Sequence, residues 1–210
     1  MSSRDQYETY RTVGQQLNSK ILDVYSDREL ILNSAEELGI EHDGRDILYD
    51  FESDMTVHFE FMLYEYRRDG QTAAERYYEE ERWDSPTERT ILEATLEAET
   101  SLFEIDAINE DDDRLEMTDI LNGGKTLSVL DINLSQTAES GVLSFFRPVR
   151  YDEFTVTSGV SLPFPEDETD RLLSEYERRV DHSDSQSASM ERFIAFYDLY
   201  RDHGIRMHYG

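Results

Sequence analysis

Apolar residues in this chain recur every three or four positions up to about residue 100. They then alternate with polar ones to about residue 160, and return to the wider spacing toward the end. A helix aligns side chains at about 3.6-residue spacing and a strand at spacing two, so this order predicts helices, then strands, then helices. The fold class expected is α+β: a helical region over 1–100, a small five-stranded antiparallel sheet or barrel over 101–165, and C-terminal helices over 166–210. Asp181 to Ser189, rich in serine and aspartate with no apolar anchor, is the expected linker.

Helix starts are marked by capping chemistry. Ser3 with Gln6 opens a helix carrying Tyr10, Val13, Leu17, Ile21 and Val24, and Ser26 with Glu29 opens a second that ends at Gly39. The strongest helical pattern runs from about Arg45 to Arg68 through Ile47, Phe51, Met55, His58, Phe59, Met62 and Tyr66, with Gly70 as terminator. Thr72 with Glu75, and Ser85 with Pro86 and Glu88, launch two shorter helices. Strands are expected at Leu102–Ile108, Arg114–Ile120, Thr126–Ile132, Val142–Val149 and Phe154–Val160, with Asn122-Gly123-Gly124-Lys125 as a hairpin turn and Pro163 and Pro165 ending the unit. Helices from about Glu166 to Val180 and around Phe193 to Tyr200 complete the chain.

Charge bears on the surroundings. The 48 acidic and 20 basic side chains leave a net charge of -28, and 18 of the basic residues are arginine against Lys20 and Lys125. Such a surface repels itself in dilute buffer, whereas at about 1 M salt the screening length is only about 3 Å. Arginine pairs with carboxylates through a planar fork and exposes less hydrocarbon than lysine, which suits a salt-rich cytoplasm. The chain has no cysteine, which removes disulfides, thiolate metal sites and Cys nucleophiles. No apolar run reaches the roughly 20 residues of a membrane span, and the start lacks a secretory apolar core, so a soluble cytoplasmic protein is expected.

Four blocks share a further pattern: FEFMLYEYRRDGQTAAERYYEE from Phe59, ERTILEATLEAETSLFEIDAI from Glu88, LEMTDILNGGKTLSVLDINLS from Leu115 and GVLSFFRPVRYDEFTVTSGVSLPFP from Gly141. Over roughly Val57 to Arg179 the chain resembles uncharacterised prokaryotic proteins that often carry a SEC-C zinc motif. The recurring features are the strand at Ser101–Ile105, the turn at Asp119–Gly123, the strand from Gly141 to Arg147 and Ser158–Val160. The resemblance implies an architecture and no activity, and the cysteine-rich zinc tail is missing here.

Motifs that would carry chemistry fail on context. Gly123-Gly124-Lys125-Thr126 echoes a phosphate loop, but Asp119 stands where its first glycine belongs and a strand follows instead of a helix. Ser161 lacks the second glycine of a nucleophile elbow. Glu110–Asp113 lacks the glycine and distal glutamate of a calcium loop, and among the histidines only His203 and His208 are close in sequence. No catalytic, cofactor or metal residue is therefore assigned. Two candidate places remain: a buried polar site at His58 with Asp54 one turn earlier, and a binding surface at Phe145, Arg147, Arg150 and Tyr151, which could stack bases and touch phosphates.

The sequence thus points to a non-catalytic interaction or adaptor protein with a protein partner or self-association. The alternatives are a nucleic-acid accessory protein using the β unit, with Arg147, Arg150, Arg178 and Arg179 as its basic stripe, and a hydrolase using dispersed carboxylates or His58. The net charge opposes a polyanion. If the charge reading holds, circular dichroism during dialysis from about 3 M to about 0.1 M potassium chloride will show the fold being lost; an unchanged spectrum at low salt would overturn it.

Overall fold

The computed structural model describes residues 3–180 and 188–205. The chain forms two compact units, Met1–Glu97 and Ala98–Gly210. Most of the expected linker, together with His182 and His208, lies outside the described residues.

The first unit contains α1 (Ser3–Tyr25), α2 (Arg28–Glu37), α3 (Glu52–Tyr64), α4 (Ala73–Glu79) and α5 (Pro86–Leu96). Tyr7, Leu17 and Ile21 of α1 are buried, whereas Val24, expected on the same stripe, is exposed. Helix α2 starts one residue later than its serine suggested. Asp27 accepts from the Leu30 amide at 2.9 Å, while the Ser26 hydroxyl donates backwards to Leu22 O. Arg68 holds the same carboxylate through two bonds of 2.7 Å, and this pairing keeps Asp27 well below the usual carboxylate range.

The long helix expected from Arg45 is shorter. Asp43 accepts from the amides of Arg45 and Asp46, local bonds that compete with a helix, and an isolated bridge joins His42 to Ile47. Helix α3 opens only after Phe51, whose amide donates to Asp54 Oδ2 at 3.1 Å. Thr72 and Glu75 form the expected reciprocal cap of α4. Ser85 accepts from the Glu88 amide, and the Glu88 carboxylate accepts from the Asp84 amide and from Lys20 of α1.

The second unit contains β1 (Ser101–Asn109), β2 (Arg114–Asp119), β3 (Lys125–Leu130), α6 (Ile132–Thr137), β4 (Leu143–Arg150), β5 (Thr155–Phe164), a 3-10 turn (Glu166–Glu168), α7 (Thr169–Arg179) and α8 (Ala188–His203). The strands close into a barrel in the order β1-β2-β3-β5-β4. Four of the contacts are antiparallel, but β3 meets β5 in parallel at Val129 and Thr155, so the barrel is mixed and not purely antiparallel. The third strand stops before Ile132 because Asp131 caps the helix that follows, accepting from the Leu134 amide. Pro163 does not end β5. It pairs opposite Ser144 beyond the reach of β3, where its carbonyl accepts from the Ile205 amide at 2.8 Å and no ladder bond calls for the missing donor. In the turn between β2 and β3, Gly123 and Gly124 both take positive φ, as a tight reversal requires.

Phe103, Ile105, Leu115, Met117, Val129 and Phe146 fill the barrel. Outside it, the Phe145 ring stacks on Phe196 of α8 at 4.4 Å, and Tyr176 of α7 meets Phe196 at 5.0 Å. The strand order, with a helix between the third and fourth strands, is that of the oligonucleotide/oligosaccharide-binding barrel. Among the described residues no helix is long and apolar enough to cross a membrane. Because Phe146 is central to the barrel core, Phe146→Ala is expected to cost about 3–5 kcal/mol in urea unfolding at fixed salt.

Candidate functional site

Helix α3 carries two contrasting faces. Inward, Val57, Phe61, Met62 and Leu63 are buried with Asp54 and His58. Outward, Phe51 at the start of the helix, Met55 and Phe59 lie four residues apart and, with Leu48 just before them, are 40, 37, 38 and 53% exposed respectively. The apolar spacing is as expected, but it describes two stripes, of which only one is covered. Four large apolar side chains in neighbouring positions on a surface otherwise crowded with carboxylates form an apolar face of the kind that marks contact sites.

His58 is fully buried directly behind this face. Its Nε2 lies 2.8 Å from Ser34 Oγ of α2, and its Nδ1 lies 2.8 Å from the Tyr49 hydroxyl. Ser34 Oγ donates to Ile31 O at 3.1 Å, so the neutral ring is satisfied when Nε2–H donates to Ser34 and Nδ1 accepts from Tyr49. Asp54, the expected partner of His58, serves elsewhere. Its Oδ2 caps α3 through the Phe51 amide, and its buried Oδ1 has no hydrogen-bond partner among the described residues. Ser34 and Tyr49 were not singled out from sequence, since a serine inside a helix and a tyrosine in a loop carry no spacing signal.

A serine oxygen within bonding distance of a histidine is one half of a nucleophile–base pair. Here both groups are sealed from solvent, so the serine oxygen has no path to a substrate. Burial also pushes the His58 pKa down to about 4.

The four residues expected on a binding surface separate. Phe145 lies beneath α8, and Arg147 is buried with its guanidinium donating to Ala98 O. Only Arg150 is exposed, and Tyr151 is half-buried against Phe154. The correction follows from β4 being covered on both sides nearly along its length, which an alternating reading does not anticipate. Arg178 and Arg179 lie on α7, where Arg179 pairs with Asp198 and Asp202 of α8. On the outer side of β2 and β3, the barrel face that takes ligands in this topology, stand Arg114, Glu116, Thr118, Thr126 and Ser128, and the loop before β2 carries the exposed Glu110, Asp111 and Asp112. Among the described residues no group of three His, Asp or Glu side chains is placed to hold a metal ion.

The histidine has a measurable consequence. Its folded-state pKa lies below the ordinary 6.5, so the unfolded chain binds the proton more readily. The stabilisation from the neutral buried ring is complete above pH 6.5 and is lost as pH falls toward 4, amounting to about 3 kcal/mol. In NMR the His58 ring resonances should stay in the neutral position at pH 5; titration near 6.5 would refute the buried arrangement.

Neither the comparison with curated proteins nor that with solved structures finds a match. A family description covers residues 1–210, and the chain belongs to that family of unknown function, DUF7986.

Proposed function

We propose that this protein works by non-covalent recognition of a partner protein in a salt-rich cytoplasm, through the exposed apolar face of α3, and not by covalent chemistry. The observation that carries this reading is the exposure of Leu48, Phe51, Met55 and Phe59 on a chain of net charge -28. Concentrated salt strengthens apolar association while it screens charge, so an apolar contact suits the environment that the composition suggests. Burial of Ser34 and His58 counts against a hydrolase that uses this pair. The resemblance to proteins that often carry a SEC-C zinc motif rests on the core blocks and supports no zinc-dependent role.

A second reading, that of a nucleic-acid accessory protein, has the barrel topology in its favour. Burial of Phe145 and Arg147, and the exposed carboxylates of Glu116 on β2 and of 110 to 112 in the loop before it, count against it, since phosphate needs cations and bases need exposed rings.

Wild type and a triple variant with Phe51, Met55 and Phe59 changed to serine can serve as baits in extracts at native salt. The three side chains are 37–40% exposed, so each substitution should cost about 1 kcal/mol, and circular dichroism at the same salt checks that the variant is folded. The expected result is a protein retained by the wild type, missing from the variant, and rebinding the wild type when purified. Identical retention by both baits would overturn the reading, and a gel shift with single-stranded DNA or RNA at micromolar protein would favour the second one.

A further inference from the structure

The surroundings of the α3 face restrict what can cover it. Residues 41 to 60 contain seven carboxylates and one arginine. Asp46, Asp50 and Glu52 are exposed in or beside the stretch that presents Leu48 and Phe51. Asp54, adjacent in sequence to Met55, is almost wholly buried and takes no part in the outer face.

A second copy of the chain fits poorly. It would bring an equal negative charge to a face already rimmed by carboxylates. Spacing of i, i+4, i+8 is instead the ladder that a partner helix reads with side chains of its own.

We infer that the α3 face receives a cationic amphipathic helix of a partner protein. Its apolar side chains cover Leu48, Phe51, Met55 and Phe59, and its lysine or arginine side chains meet Asp46, Asp50 and Glu52. This deepens the proposed function and rests on it: the apolar stripe supplies the contact and the acidic rim selects the sign of the partner's charge.

The probes are two synthetic amphipathic helices with the same leucine face, one with lysine and one with glutamate on the polar face, titrated against the full chain by fluorescence anisotropy. At about 0.5 M potassium chloride the lysine peptide is expected to bind about tenfold more tightly than the glutamate peptide. The serine triple variant should bind neither. A variant with Asp46→Asn, Asp50→Asn and Glu52→Gln should weaken the lysine peptide alone. If the two peptides bind equally and both are lost in the serine variant, the cationic partner is excluded and the apolar contact surface stands. If the lysine peptide binds the serine variant as it binds the wild type, the surface itself fails. Sedimentation showing a dimer that the serine variant abolishes would replace the partner helix with a second copy.

Discussion

A surplus of carboxylates that the chain's own cations cannot neutralise governs how everything else is arranged. With 20 basic side chains against 48 acidic ones, each cation is valuable as a cross-link. Lys20 of α1 reaches Asp84 and Glu88, both at 2.6 Å, and these two partners raise its pKa. Arg68 ties the start of α2, and Arg67 grips Glu75 in the cap of α4. In the second unit Arg179 links α7 to α8, and Arg192 donates to Thr100 O ahead of β1. Individually such surface pairs contribute little, and salt weakens them further. Their placement between elements means that the cations serve the fold, while the outer surface stays negative.

That division separates what the barrel is from what the barrel does. A five-stranded barrel of this order has a ligand face on strands two and three and on the neighbouring loops. In this chain the first of those loops contains Glu110, Asp111 and Asp112, and the adjoining strands present Glu104, Asp106 and Glu116. A fold hosts many functions and the site decides among them. The side chains that would stack a base or hold a phosphate have been turned inward to support α8 and the chain leading into β1, as Phe145 and Arg147 show.

Much of this was legible before any coordinates. The switch of period at residue 101 locates the barrel, and the Thr72–Glu75 and Ser85–Glu88 pairs mark helix starts because capping is local chemistry. The Asn122-Gly123-Gly124 turn is likewise local. What sequence could not settle depends on neighbours distant along the chain. Alternation in β4 suggests one outward face, but α8 covers that face, and only the packed helix makes Phe145 interior. Parallel contact between Val129 and Thr155 closes the barrel across 26 residues, beyond the reach of any hairpin rule. Pro163 reads as a terminator until it is known that β3 does not pair with β5 there and that the segment after α8 meets its carbonyl instead.

Helix α3 shows where pattern and function part. Its 13 residues carry more apolar side chains than one contact face can bury, since Val57, Phe61 and Met62 fill one side while Met55 and Phe59 occupy another. Periodicity measures how such residues are spaced, not which stripe the neighbouring helices will cover. The choice is made by His58, whose two ring nitrogens are both satisfied only when Ser34 of α2 stands on one side and Tyr49 on the other. A satisfied buried histidine fixes the rotation of the helix about its axis, because turning it would strand the ring without partners in an apolar interior. The stripe through Phe51, Met55 and Phe59 is then held outward by the same interaction that closes the polar site within, so the two features first noted along this helix are opposite consequences of one orientation.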